Sequence, residues 1–418
     1  MKIALYSSIA SALMLTACST TDRGQRTVGV KATDLSSAEA MLDAESAKAT
    51  ERLQRSGARI RDTALESYVQ DIANKSAGAF SGEVNVYLLK VPAFNAYMYP
   101  NGTMGVYSGL LLRVETEDEL ALILGHEFGH YYEKHSLEIR ANAKNTLHAL
   151  NAVSLATAPI YLIGSPAVGA GGELLGVAAQ TAILSEFFSF NREQETEADV
   201  IGLERVEATG YAKASAIKLW ENLDEEKKAS SIRKVRNRKS KFYDSHPTTP
   251  DRLKALKAAT NIQGDIPRAS IGQRSAYRDR IRPHLMEWLN GEIARRDAGA
   301  TLHLLDRLDD LGEDQGVLLY ARARVLDRAL SNKKLKEDEV TRKLVAGQSQ
   351  SDVVELLERA SSHSDAPPVV YRELGNKFYK LGQHKAAKSA FQQYLALTPS
   401  AEDSQLIESL IAKMDIPS

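Results

Sequence analysis

The chain has 418 residues, 43% hydrophobic and 26% charged, with 53 basic against 54 acidic side chains. That length suggests roughly two to three domains, each large enough to bury its own core. The near-zero net charge and the 6% aromatic content argue against nucleic-acid binding driven by overall charge. A single cysteine excludes both an internal disulfide framework and a cysteine-rich metal site.

The N-terminus reads Met1-Lys2, then an apolar stretch from Ile3 to Leu15, then Leu15-Thr16-Ala17-Cys18. The apolar run is short for a membrane span. Its end resembles a bacterial lipoprotein signal, in which Cys18 is lipidated and becomes the first residue. Residues 1–17 are therefore expected to be a signal peptide. Ser19, where an aspartate would retain the product, implies sorting to the outer membrane, at its periplasmic face. Residues 18–34 are polar and read as a tether.

Helices are predicted over Leu35–Gln54 and Asp62–Ala77, where Leu65, Tyr68, Val69 and Ile72 recur at helical spacing. Val84–Leu89 reads as a strand, and Phe94–Tyr107 as extended segments around a turn at Pro100-Asn101-Gly102. Thr116-x-x-Glu119 is a capping box, opening a helix that continues to about His135. Residues 145–172 contain no Asp, Glu, Lys or Arg. Because Pro159, Gly164, Pro166 and further glycines interrupt them, two short apolar helices or a plug near the active site is expected rather than a membrane span. A helical pattern returns over Thr181–Thr209. Lys227–Lys241 holds a basic run that reads as a solvated loop. Beyond Gly264 the pattern is helical and charged to the end.

The capped helix carries Gly125-His126-Glu127-Phe128-Gly129-His130. Histidines four apart on a helix share a face, so both imidazoles can reach one metal ion, while Glu127 can accept a proton from water. Imidazole and carboxylate donors suit zinc, whose catalytic sites use three protein ligands and leave one position open. Gly129 is expected to leave room beside the metal, and His135, five residues past His130, to be structural. The third ligand is sought in Asn191-Arg192-Glu193-Gln194-Glu195-Thr196-Glu197-Ala198-Asp199. Glu195 and Asp199 share a helix face. That spacing lets Glu195 bind zinc while Asp199 accepts the N–H of a ligating histidine. Glu193 and Glu197 point elsewhere and read as a solvated acidic face or as partners of Arg192.

His126-Glu127-Phe128-Gly129-His130, followed by Glu195-Thr196-Glu197-Ala198-Asp199-Val200-Ile201-Gly202, resembles the HtpX/CaaX-protease family of gluzincin metallopeptidases. Phe94-Asn95-Ala96-Tyr97 with the following turn, Gly210-Tyr211, Trp220, and Ser245-His246-Pro247 with Arg252 extend the resemblance over about residues 35–260. Asn101 departs from it, standing where a second glycine is common. The lipoprotein signal and helical tail are most similar to those of periplasmic members. The resemblance implies one zinc ion per chain. It also implies that Asn95 hydrogen-bonds the substrate or the developing oxyanion, beside a strand that pairs with extended peptide. His246 would either stabilise the oxyanion or occupy the open metal position as a latch.

In the tail, Tyr371, Leu374, Gly375, Phe378, Gly382, Ala387, Phe391 and Pro399 fit the tetratricopeptide pattern, with the best repeat at about 368–401. The expected architecture is mainly α with a small β-sheet (α+β). A zincin-like metallopeptidase domain over 35–260 precedes an all-α tetratricopeptide-like domain over 265–418. The function expected is a cell-envelope endopeptidase acting on unfolded or misassembled outer-membrane proteins. Its tail would hold substrate or outer-membrane assembly machinery. The competing reading is a periplasmic chaperone with a non-catalytic metal site.

Overall fold

The computed structural model describes residues 25–30, 35–140, 190–237, 250–261, 266 and 268–414. Cys18, His246 and residues 145–172 lie outside them. Among the described residues the architecture is mainly helical, with one small sheet, as the sequence pattern predicts.

Helix α1 (Ser37–Arg55) opens on a capping box between Ser36 and Glu39. Asp62 caps α2 (Thr63–Ala77), accepting the N–H groups of Ala64 and Leu65, so two orphan donors of the first turn are satisfied. The sheet follows: β1 (Asn85–Leu89), β2 (Ala96–Met98) and β3 (Thr103–Tyr107), in the order β1-β3-β2. β3 runs parallel to β1 and antiparallel to β2, with Ala96 opposite Val106 and Met98 opposite Met104. Gly102 makes the connecting turn possible: its φ is +83°, and a Cβ there would strike the carbonyl of Glu83. β2 is thus an edge strand among the described strands, and it packs beside the metal-motif helix.

After a single-turn helix α3 (Ser108–Leu111), helix α4 spans Glu117–Tyr132. Thr116 accepts the N–H of Glu119 as predicted. The Glu119 carboxylate accepts instead from Glu115, at 2.6 Å, so the box closes one residue early. Burial, then the neighbouring Glu115, push the Glu119 carboxyl up to about 8. α4 ends before His135, because Lys134 takes a left-handed conformation with φ 54°. Residues 25–30 run along this end: the Arg26 amide and guanidinium donate to the carbonyls of Tyr132 and Tyr131.

Helices α5 (Arg192–Ala208), α6 (Lys213–Ala229), α7 (Arg233–Asn237) and α8 (Pro250–Ala259) complete the region around the site. α5 begins on a capping box of Asn191 and Gln194. Helices α9 (Ile271–Ile281), α10 (Leu285–Ala294) and α11 (Ala298–Asp309) share the core of the N-terminal part through Tyr277, Trp288, Leu289 and Leu304. Arg113, fully buried, ties the two parts together: its guanidinium donates to Glu226 on α6 and to Glu292 on α10 at 2.7 Å each.

Helix α12 (Gln315–Ser331), the short α13 (Glu339–Leu344), α14 (Gln350–Ser361) and α15 (Val369–Lys380) follow. α12, α14 and α15 form a second cluster around Leu319, Tyr320, Val353, Leu357 and Leu374. α15 packs closely on α16 (His384–Leu397), because a Cβ at Gly375 would lie 2.5 Å from the Phe391 ring. Ile407 of α17 (Ser404–Met414) joins Phe391 and Tyr394 beneath. No helix among the described residues is long and apolar enough to cross a membrane.

Candidate metal centre

Helices α4 and α5 cross at small residues, and this crossing builds the site. A Cβ on Gly129 would lie 2.9 Å from Ala198 Cα, and one on Gly202 would lie 3.1 Å from the His126 amide nitrogen. Gly129 therefore makes room for the backbone of α5 rather than for a metal, contrary to the expectation from sequence.

The close approach brings Glu195 across from the histidine pair. His126 Nε2 lies 3.1 Å from His130 Nε2, and the two nitrogens lie 3.6 and 3.5 Å from the Glu195 carboxylate oxygens. All three residues are buried and can hold one ion between them. Donors bound tetrahedrally at the 2.0–2.1 Å typical of zinc are separated by about 3.3–3.4 Å, so these residues fit such an ion. Glu127, next to His126 and equally buried, completes the motif. Three buried carboxyl groups (Glu127, Glu195 and Asp199) face the Arg252 guanidinium here, and a dication would offset the excess negative charge.

Asp199 sits where the spacing predicts, one oxygen 3.0 Å from His126 Nδ1. The same carboxylate accepts a two-pronged bond from Arg252, at 2.6 and 2.7 Å, and Arg252 also reaches Glu195 at 2.8 Å. Burial opposes the ionised form of Asp199, but Arg252 and then His126 outweigh it and hold the carboxyl below its ordinary range. Arg252 is itself held protonated by Asp199 and Glu195 against its burial. Its guanidinium stacks 4.6 Å from the Trp220 ring centroid.

Several neighbours of His130 take parts that the sequence pattern does not announce. Phe190 stacks on its ring at 3.6 Å, 16° from parallel. His135, expected to be merely structural, turns back so that its Nδ1 lies 2.7 Å from His130 Nδ1. Glu197, expected on a solvated face, accepts from His135 Nε2 at 2.9 Å. The signals for these were weak: Arg252 appeared only as the end of a motif, and the return of His135 depends on a left-handed Lys134 that its residue type does not announce.

Asn95 stands just before β2, half-buried, with its carbonyl accepting the Tyr107 N–H. A small cleft by the far end of that strand is lined by Met98, Pro100, His130, Tyr131, Leu42 and Arg26.

A crossed helix pair presenting two histidines and a glutamate, beside a small sheet with an edge strand, defines a metal-binding peptidase-type domain. Residues 59–260 match the model of Peptidase family M48, and this part of the chain belongs to that family. Mitochondrial metalloendopeptidase OMA1 of Schizosaccharomyces pombe is 26% identical over 41% of this chain and 45% of its own length. The beta-barrel assembly-enhancing protease of Escherichia coli K12 is 22% identical over 82% of this chain and 71% of its own. Metalloprotease LoiP of the same organism is 26% identical over 46% and 69%. The chain spans about half the length of the mitochondrial relatives it matches.

Proposed function

We propose that this chain is a zinc-dependent endopeptidase of the bacterial cell envelope. Its substrates are unfolded or misassembled polypeptides, outer-membrane proteins among them. Lipid on Cys18 holds it at the periplasmic face of the outer membrane, and a tetratricopeptide-like tail recruits substrate or assembly machinery. The convergence of His126 Nε2, His130 Nε2 and the Glu195 carboxylate beside Glu127 carries this reading. The name of one bacterial relative, beta-barrel assembly-enhancing protease, supports the substrate class.

His126, His130 and Glu195 would hold the ion, with Asp199 fixing the tautomer of His126. Bound zinc supplies a Lewis acid for the scissile carbonyl and lowers the pKa of water toward neutrality. Glu127 accepts the proton of the attacking water and delivers it to the departing amine. An extended peptide adds to the edge of β2, where main-chain pairing gives affinity for many sequences, and Asn95 stands at the start of that edge to bond the substrate.

One experiment tests the reading. Wild type and Glu127→Gln should each bind about one zinc, and only wild type should degrade an unfolded β-barrel protein, with a rate loss of about 10²–10⁴-fold or more in the variant. Cys18→Ser, assayed alongside, should leave the membrane fraction. Equal degradation by wild type and Glu127→Gln refutes the assignment of Glu127. Zinc binding without degradation by either favours a binding module.

A further inference from the structure

The two histidines of the cluster are oriented by different means. His126 presents Nδ1 directly to Asp199. His130 presents Nδ1 to another ring nitrogen, His135 Nδ1, at 2.7 Å, and the far nitrogen of that ring meets the Glu197 carboxylate at 2.9 Å. Two ring nitrogens at that separation share one proton, since neither two donors nor two acceptors can bond.

The protonation pattern follows from the cluster. A histidine that gives its Nε2 lone pair to a cation carries its proton on Nδ1. His130 then donates, His135 Nδ1 accepts, and the His135 proton resides on Nε2, where Glu197 accepts it. Burial reinforces this: the His135 side chain is fully enclosed, while that of Glu197 is about half exposed, at 47%. The carboxylate therefore keeps its hydration while fixing a buried ring. The sharp turn at Lys134 brings His135 back to this place.

We propose that His135 and Glu197 are positioning residues for His130, holding it through a histidine–histidine–glutamate relay in the tautomer and orientation that bind the metal. The proposal rests on the reading that His126, His130 and Glu195 bind zinc.

The test is zinc affinity, measured by competition with a chromophoric chelator on the full chain, with thermal unfolding of the metal-free proteins as a check on folding. His135→Leu should weaken zinc binding by about 10–100-fold. His135→Asn should recover part of that loss, because its amide oxygen can accept from His130 Nδ1. Glu197→Ala should weaken binding by a smaller factor and add nothing in the His135→Leu background, because it acts through His135. Wild-type affinity in His135→Leu, equal losses in the Leu and Asn variants, or the same effect of Glu197→Ala in both backgrounds would each overturn the proposal. If His135→Leu does not fold, Glu197→Ala alone decides: its side chain is about half exposed, and unchanged affinity overturns the relay. Zinc-loaded wild type that fails to cleave polypeptide refutes the proposed activity and leaves the relay standing.

Discussion

Replacing Gly129 by alanine probes how closely α4 and α5 must approach for metal to bind. The added Cβ would lie 2.9 Å from Ala198 Cα, 3.1 Å from its carbonyl oxygen and 3.3 Å from its Cβ. Carbon pairs rest at about 3.5–4.0 Å, so the helices must part by about 0.5–1 Å. Overpacking of this kind costs about 1–3 kcal/mol, and the better helix propensity of alanine returns about 1 kcal/mol. The net loss of stability is therefore small, between about 0 and 2 kcal/mol. The effect on the site is larger in proportion. Glu195 lies one turn before Ala198 on the displaced helix, and its oxygens stand only 3.5 and 3.6 Å from the histidine nitrogens. Metal–ligand distances tolerate about 0.2 Å. Zinc affinity should fall by about 10–100-fold, equivalent to about 1.4–2.8 kcal/mol, as read by chelator competition, while urea denaturation shows a loss of no more than about 2 kcal/mol. Gly272→Ala is the control, because a Cβ there meets nothing within 4 Å and should leave zinc binding unchanged. Wild-type zinc affinity in Gly129→Ala would refute the reasoning, since the crossing would then have slack to spare.

Two further predictions concern buried charge. Arg113→Met leaves the Glu226 carboxylate buried without its guanidinium and Glu292 with Arg295 in place of two, and should cost about 3–5 kcal/mol in urea denaturation; a loss below about 1 kcal/mol would contradict it. Glu119 keeps its proton up to about 8 in the folded chain, against an ordinary value of 4.5. Its stabilising contribution is therefore full below about pH 4.5 and is lost as pH rises toward about 8, with a slope of at most about 1.4 kcal/mol per pH unit. Glu119→Gln should flatten the decline of stability between about pH 5 and 8, and an unchanged slope would rule this titration out.

What the sequence disclosed and what it concealed divide along physical lines. Local patterns were legible. Asp62 caps α2 and Thr116 caps α4 as their residue types suggest, and four-residue spacing puts His126 with His130 and Glu195 with Asp199 on single faces. These depend only on the 3.6-residue turn and on the chemistry of the first N–H groups. The companions of the site were not legible, because each is a meeting of side chains distant along the chain. Arg252 reaches Asp199 across 53 residues and His135 reaches Glu197 across 62. Phe190 covers His130 from the approach to α5.

A further trace of that long-range assembly in the sequence is the set of small residues, Gly125 and Gly129 on α4 with Ala198 and Gly202 on α5, and reading Gly129 as space for a metal misplaced its purpose. Space for a helix backbone has a different consequence. The third ligand comes within reach only when α5 is seated on α4, so whatever seats α5 also completes the metal centre, and a metal that binds all three ligands holds the helices together in turn. Arg252 contributes to the same coupling, since one guanidinium bonds both Asp199 and Glu195 on α5 and stacks on Trp220 of α6. Ligation and tertiary packing are thus two readings of one crossing. For that reason substitutions at its small residues, none of which touches the metal, should register in zinc affinity before they register in stability.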